Sequence, residues 1–295
     1  MPSEQMQNVI DLMRAMERDP STPIEQQRAN MELGTQAFPA LDLEILLVDA
    51  NGVPAEWVKP SQEEPGVILY LHGGAYVAGS PRTHRNLTTR LAEQTNHRVL
   101  AIDYRMAPEH PYPAAVEDAV AAYRFLLDGA ASSNQIAVVG DSAGGGLTVA
   151  LLVALKDAGL PQPACAIPIS PWADLEGVGE SWTTRADVDP LIDPDDLRRK
   201  GALYLGGADP KSPTAAPIHA DLTGLPPMLI PVGDLEVLLD DSKTLAARAA
   251  ANGVDVTLDV QDGMIHVWPL FAGIAPESDD AVARIVEFID KHIAR

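Results

Sequence analysis

Gly140-Asp141-Ser142-Ala143-Gly144 is the single G-x-S-x-G in the chain. The apolar run Ile136–Val139 ends directly before it, and a helical pattern begins at Gly144. A strand, a tight turn and a helix in that order lift a serine hydroxyl above a sheet edge, where it can act as a nucleophile. Such a turn leaves no room for bulky side chains beside Ser142, hence Gly140 and Gly144, with Gly145 and Gly146 behind. It also aims the Ala143 N–H, at a helix N-terminus, toward a developing negative charge. A bare G-x-S-x-G is a common glycine turn, so the strand before it and the helix after it carry the inference.

A second glycine pair, in His72-Gly73-Gly74-Ala75, follows the apolar run Val67–Leu71. Adjacent glycines at a strand end let backbone N–H groups face a reacting carbonyl oxygen. Gly73 and Gly74 are the expected donors, with Ala143 as the third. Loss of one such donor costs about 10²–10³ in rate. His72 is expected to fix this loop by hydrogen bonding rather than to serve as a base.

The elements that position these groups alternate. Apolar runs at Val67–Leu71, Val99–Ile102, Ile136–Val139, Ala164–Ile169, Met228–Val232 and Val254–Val260 read as strands, several of them buried on both faces. Helical patterns at 83–95, 113–128, 143–157, 240–252 and 278–293 lie between most of them. That alternation predicts an α/β fold, a mostly parallel sheet with helices on both faces. Upstream, residues 4–18 read as an amphipathic helix, and Ser21 or Thr22 is expected to cap another near 23–33. Leu43–Val48, Asn51-Gly52 and Ala55–Lys59 read as a hairpin. The Asp- and Pro-rich stretch 173–225 interrupts the alternation and reads as an insertion.

With 295 residues, Lys+Arg 21 and Asp+Glu 42, the formal net charge is −21. Such a surface repels polyanions, so neither a nucleic-acid nor an anionic-membrane partner is expected. The lone Cys165 excludes an internal disulfide and a Cys-cluster metal site. The sequence holds no H-E-x-x-H, no Walker lysine motif and no G-x-G-x-x-G after a strand, so metalloprotease, NTPase and nicotinamide chemistry find no support. The N-terminus lacks a secretory pattern and no run approaches the length needed to span a bilayer, so a cytoplasmic protein is expected.

His72-Gly73-Gly74-Ala75 upstream of Gly140–Gly145 resembles the bacterial hormone-sensitive-lipase-like family of α/β-hydrolase carboxylesterases. Asp103–Pro111, Ser170-Pro171-Trp172, Leu225-Pro226-Pro227 and Gly263–His266 resemble the same family, in the same order, over about 40–295. Ala75 departs from it, standing where a third glycine is usual. The resemblance implies an α/β-hydrolase fold with a helical cap made of residues 1–40 and 173–225, the catalytic domain being 41–172 and 226–295. It implies a serine esterase acting on uncharged small-molecule esters of short to medium acyl length, with no metal or organic cofactor. Members often dimerise, which allows a homodimer here. Amidase, lactonase or thioesterase chemistry would use the same residues; a ligand-binding receptor on this fold would lack the base.

The fold's chain order is serine, acid, histidine. Of the histidines after Ser142, His292 sits in a terminal helix and His219 in the insertion. His266 follows the last strand and a turn, and a neutral imidazole there can take the serine proton and return it to the leaving group. The acid belongs on the loop after Met228–Val232. The family's Asp-Pro-Leu element, aligned on its leucine, implies Glu236, with Asp234 as the rival and Asp240 as a helix-starting acid. Asp141 and Tyr76 complete the expected site as supporting or substrate-contacting residues. Tyr76, Trp172, Trp182 and Phe38 are candidates for the acyl pocket wall and equally for ordinary core.

Overall fold

The computed structural model describes residues 1–16, 19, 21–129 and 131–294. Among these the strands are β1 (Glu44–Asp49), β2 (Pro54–Lys59), β3 (Val67–Leu71), β4 (Arg98–Ile102), β5 (Ile136–Asp141), β6 (Cys165–Ile169), β7 (Met228–Gly233) and β8 (Val256–Gln261). They form one sheet in the order β1-β2-β4-β3-β5-β6-β7-β8. The β1–β2 and β2–β4 pairs are antiparallel; every other neighbouring pair is parallel.

Strand β3 is apolar and buried at every position because helices cover both faces. In β3, Val67, Leu69 and Leu71 join one apolar cluster, while Ile68 and Tyr70 join the other. Helices α1 (Glu4–Ala15), α2 (Ile24–Gly34), α3 (Arg85–Thr95), α4 (Ala114–Asp128) and α5 (Ala143–Asp157) precede β6. Between β6 and β7 lie α6 (Ser181–Thr184) and α7 (Pro194–Leu205), and after β7 come α8 (Leu239–Ala251) and α9 (Pro276–His292). Leu87 and Leu91 of α3 pack with Val282, Ile285 and Ile289 of α9 on the Ile68/Tyr70 side. On the opposite side Ala119 and Tyr123 of α4 and Leu147 and Leu151 of α5 cover Leu69 and Leu71. The outermost strands β1 and β8 keep exposed positions, Leu47 at 83% and Val260 at 37%, because each lacks a neighbour on one edge.

Three local features bear on the site. Asp193 caps α7 by accepting the Asp196 N–H at 2.8 Å, with Pro194 opening the first turn. The cap expected from Ser21 or Thr22 is not used; α2 starts behind Pro23 without a side-chain cap. Met6, Val9, Ile10 and Met13 of α1 pack against Met264, Ile265, Trp268 and Phe271, the residues that flank His266. Among the described residues no helix is long and apolar enough to cross a membrane.

Candidate active site

The turn from β5 into α5 forces Ser142 to φ 54° and ψ −118°, a conformation L-residues rarely adopt and worth roughly 1–3 kcal/mol of strain. Surrounding contacts fix it there. The Ser142 N–H donates to Ile169 O at 2.9 Å, and Ser142 O accepts from the N–H groups of Trp172 and Gly146. A Cβ on Gly144 would lie 1.9 Å from Leu71 O, so the chain crosses β3 at a distance only glycine allows.

Two loops bring partners to Ser142. The loop after β8 carries His266, whose Nε2 lies 2.9 Å from Ser142 Oγ. The loop after β7 carries Glu236, whose Oε2 lies 2.8 Å from His266 Nδ1. With Nδ1–H donated to the carboxylate, Nε2 is left as the acceptor for the serine hydroxyl. The other Glu236 oxygen accepts from Ser170 Oγ at 2.7 Å and from the Gly233 N–H at 2.6 Å. Burial disfavours the His266 imidazolium, but the bond and charge of Glu236 outweigh that, with help from Asp189 and Asp141, and lift its pKa above the ordinary value.

The other candidates lie elsewhere. Asp234 Oδ1 accepts the Gly263 N–H at 2.6 Å, bracing the two loops. Asp240 Oδ2 accepts the Ser181 N–H at 2.9 Å. His292 Nδ1 bonds Phe288 O within α9. His219 stands 3.7 Å from Glu176. Asp174, Glu176 and His219 form the one group within metal-ligand reach among the described residues, ligand atoms within 4.8 Å, and Lys211 already sets a cation 3.4 Å from Glu176.

The glycine loop corrects one expectation. The Gly73 N–H donates to Asp141 Oδ1 at 3.1 Å, so that donor is already used within the fold. The N–H groups of Gly74, Ala75 and Ala143 have no acceptor among the described residues. Gly74 at φ 115°, then Ala75 at 55° and Tyr76 at 61°, turn the chain sharply here. A Cβ on Gly74 would lie 2.1 Å from Ala78 O.

His72 stacks on Tyr104, ring centroids 4.1 Å apart, and its Nδ1 bonds Gly73 O at 2.8 Å. Burial and the neighbouring His84 push its pKa down to about 3, so it is a neutral strut and not a base. Asp141 also accepts from Tyr70 Oη at 2.6 Å and faces His84 Nε2 at 3.3 Å. Tyr76 is fully buried, stacked on Tyr204 of α7 with centroids 3.7 Å apart. Trp172 and Trp182 are buried, and Phe38 packs edge-on against Phe271.

Sequence reasoning passed over Ser170, Tyr70, His84 and Asp189. Ser170 had a signal, its place at the end of β6 beside Pro171-Trp172. Tyr70 and His84 had none, since their common partner Asp141 is remote in the chain.

The sequence matches the family described as alpha/beta hydrolase fold over residues 68–270. It is 47% identical over 259 residues to an acetyl-hydrolase of Streptomyces hygroscopicus, covering 88% of this chain and 85% of that protein. It is 32% identical over 289 residues to the carboxylesterase NlhH of Mycobacterium tuberculosis, covering 93% and 87%. A solved esterase from the bacterial hormone-sensitive lipase family superposes with a TM-score of 0.95 at 47% identity, covering 100% of both chains. A crystal structure of EstE5 soaked with p-nitrophenyl butyrate superposes with a TM-score of 0.95 at 45% identity, covering 99% of this chain and 100% of that one.

Proposed function

The chain belongs to the α/β-hydrolase family, in its bacterial hormone-sensitive-lipase group of esterases, and from that premise we propose that Ser142, His266 and Glu236 hydrolyse carboxylic esters of short to medium acyl length through an acyl-enzyme. The observation that carries this reading is the unbroken line of contacts from Ser142 Oγ to His266 Nε2 at 2.9 Å and from His266 Nδ1 to Glu236 at 2.8 Å.

In the first half-reaction His266 Nε2 takes the Ser142 proton as Oγ bonds to the ester carbonyl carbon. The carbonyl oxygen becomes an oxyanion, and the N–H groups of Gly74, Ala75 and Ala143 stabilise it. The imidazolium gives its proton to the departing alkoxide, leaving the acyl group on Ser142. In the second half a water loses a proton to His266 as it attacks the acyl carbon. Collapse of the second oxyanion returns the proton to Ser142 and frees the acid. Glu236 stays ionised throughout, holding the ring tautomer and offsetting the imidazolium charge.

For substrate, the similarity to an acetyl-hydrolase and the p-nitrophenyl butyrate soak of EstE5 favour small acyl groups. We assign the cap to residues 1–40 and 173–225, on the sequence argument together with the stacking of Tyr204 on Tyr76. The test is a p-nitrophenyl ester series from acetate to laurate, run on the wild type and on Ser142→Ala. Wild-type turnover that falls with chain length, none in Ser142→Ala, and a single fluorophosphonate adduct on Ser142 are expected. Turnover retained by Ser142→Ala overturns the assignment.

A further inference from the structure

Asp189 lies in the insertion, yet its hydrogen bonds reach the loop of the acid. It is 8% exposed. Oδ1 accepts the N–H groups of Leu191 and Ile192 at 2.8 and 3.1 Å, which fixes the carboxylate on its own turn. Oδ2 accepts the N–H of Val237, the residue after Glu236, at 2.8 Å. On its other side the Val237 carbonyl accepts from Ser181 Oγ at 2.6 Å, and Ser181 also belongs to the insertion. Both polar backbone groups of Val237 are thus held by residues more than fifty positions upstream on average, while Val237 itself is fully buried.

The loop's own backbone-to-backbone bonds are long: Glu236 N–H to Gly233 O is 3.4 Å, and Leu239 N–H to Glu236 O is 3.3 Å, leaving the Gly233 N–H to the Glu236 carboxylate as its one short bond among the described residues. Its position therefore depends on what grips it from outside. A buried Val237 N–H without Asp189 would be an unpaired donor, and the loop would move to find an acceptor.

We propose that Asp189 is a positioning residue for catalysis: it ties the insertion to the backbone beside Glu236 and adds a fixed negative charge behind the Glu236–His266 pair. The proposal rests on the Ser142–His266–Glu236 assignment above. It gives the insertion a second role besides covering the site, since a displacement of α6 or of the turn at 189–192 is passed to the carboxylate that orients His266. The charged groups facing His266 are Glu236 on the acid loop, Asp189 on the insertion and Asp141 at the end of β5, and all three favour the imidazolium. Asp189 therefore aids the charge that forms on His266 when Ser142 attacks.

The test compares Asp189→Asn with Ser181→Ala, each followed over pH with p-nitrophenyl acetate and by thermal unfolding. Asp189→Asn keeps the size but loses the charge and one accepting side. It should lower kcat about ten- to a hundredfold with KM within about twofold, the range set by small misplacement of a catalytic group. The acid limb of its kcat/KM profile should move to lower pH. Ser181→Ala removes the other anchor with no change of charge, so its kcat should fall while its acid limb stays in place. A wild-type kcat and an unmoved limb in folded Asp189→Asn overturn the proposal, as does a loss confined to thermal stability. Ser142→Ala, assayed alongside, separates the two claims: turnover there overturns the nucleophile assignment whatever Asp189→Asn does.

Discussion

The Gly73 N–H donates to Asp141 Oδ1 at 3.1 Å, so the residue before Ser142 holds the loop that faces it. Asp141 is 2% exposed and its partner His84 1%. Burial opposes both charges, yet the pairing wins: Asp141 is held below the ordinary carboxylate value and His84 above the ordinary imidazole value. Removing one member of a buried pair strands the other, at a cost of about 3–5 kcal/mol. Asp141→Ala should lose that much stability in urea unfolding and lose turnover with it, because Gly73 is released.

The same pair sets a pH window. The Asp141 contribution is present above the unfolded carboxylate value and lost as pH falls through its depressed folded value. The His84 contribution is present below the unfolded imidazole value and lost as pH rises through its raised folded value. Their joint contribution is fullest between about pH 4 and 6.5, the unfolded values. Urea midpoints of the wild type and Asp141→Asn should differ most inside that window and converge on either side.

Activity should show the opposite slope. In the proposed mechanism His266 must be neutral to accept the Ser142 proton, and its pKa is raised despite burial, chiefly through Glu236. The acid limb of kcat/KM should therefore lie above the ordinary imidazole value of about 6.5, and turnover should climb on the alkaline side of neutrality. Glu236→Gln should move that limb to lower pH and cut kcat by about 10²–10⁴, since the amide neither fixes the tautomer nor balances the charge. Asp234→Asn, whose residue bonds Gly263 instead, should leave the limb where it is.

Ser170 Oγ donates to Glu236 Oε1 at 2.7 Å and accepts from the Val267 N–H at 3.2 Å, linking the acid loop to the histidine loop. Ser170→Ala takes one of three donors from a buried carboxylate and leaves the Val267 N–H unpaired. A stability loss of about 1–3 kcal/mol is expected, read as a lower urea midpoint. With Gly233 still bonding the same oxygen, kcat should fall only about tenfold, far less than in Glu236→Gln.

Ser142 and His266 stand at loop positions that strand ends dictate, so local pattern and chain order sufficed to bring them forward. The central strands were legible because burial on both faces makes their apolar runs continuous, as in Val67–Leu71. Gly73 was misjudged because its partner depends on β3 and β5 lying side by side, a tertiary fact that no spacing encodes. Asp189 and Ser170 were passed over for the same reason: each bonds a loop about fifty or more residues away. The helix near 23–33 was legible but its cap was not, because Pro23 stands at the N-cap without a side-chain bond.

The placement of α1 yields the last prediction. As part of a cap, this helix would chiefly tune which acyl chains enter. Its buried face, however, is Met6, Val9, Ile10 and Met13 against Met264, Ile265, Trp268 and Phe271, with His266 between them in sequence. Ser3 Oγ bonds Glu277 at 2.8 Å and fastens the start of the helix to α9. Ile10→Ala should cost about 2–5 kcal/mol as a core truncation. The folded variant should lose kcat by a similar factor for acetate and for octanoate esters, because the displaced part is the loop that carries His266 and not the pocket wall. A loss confined to the longer ester would mark α1 as part of the acyl pocket instead.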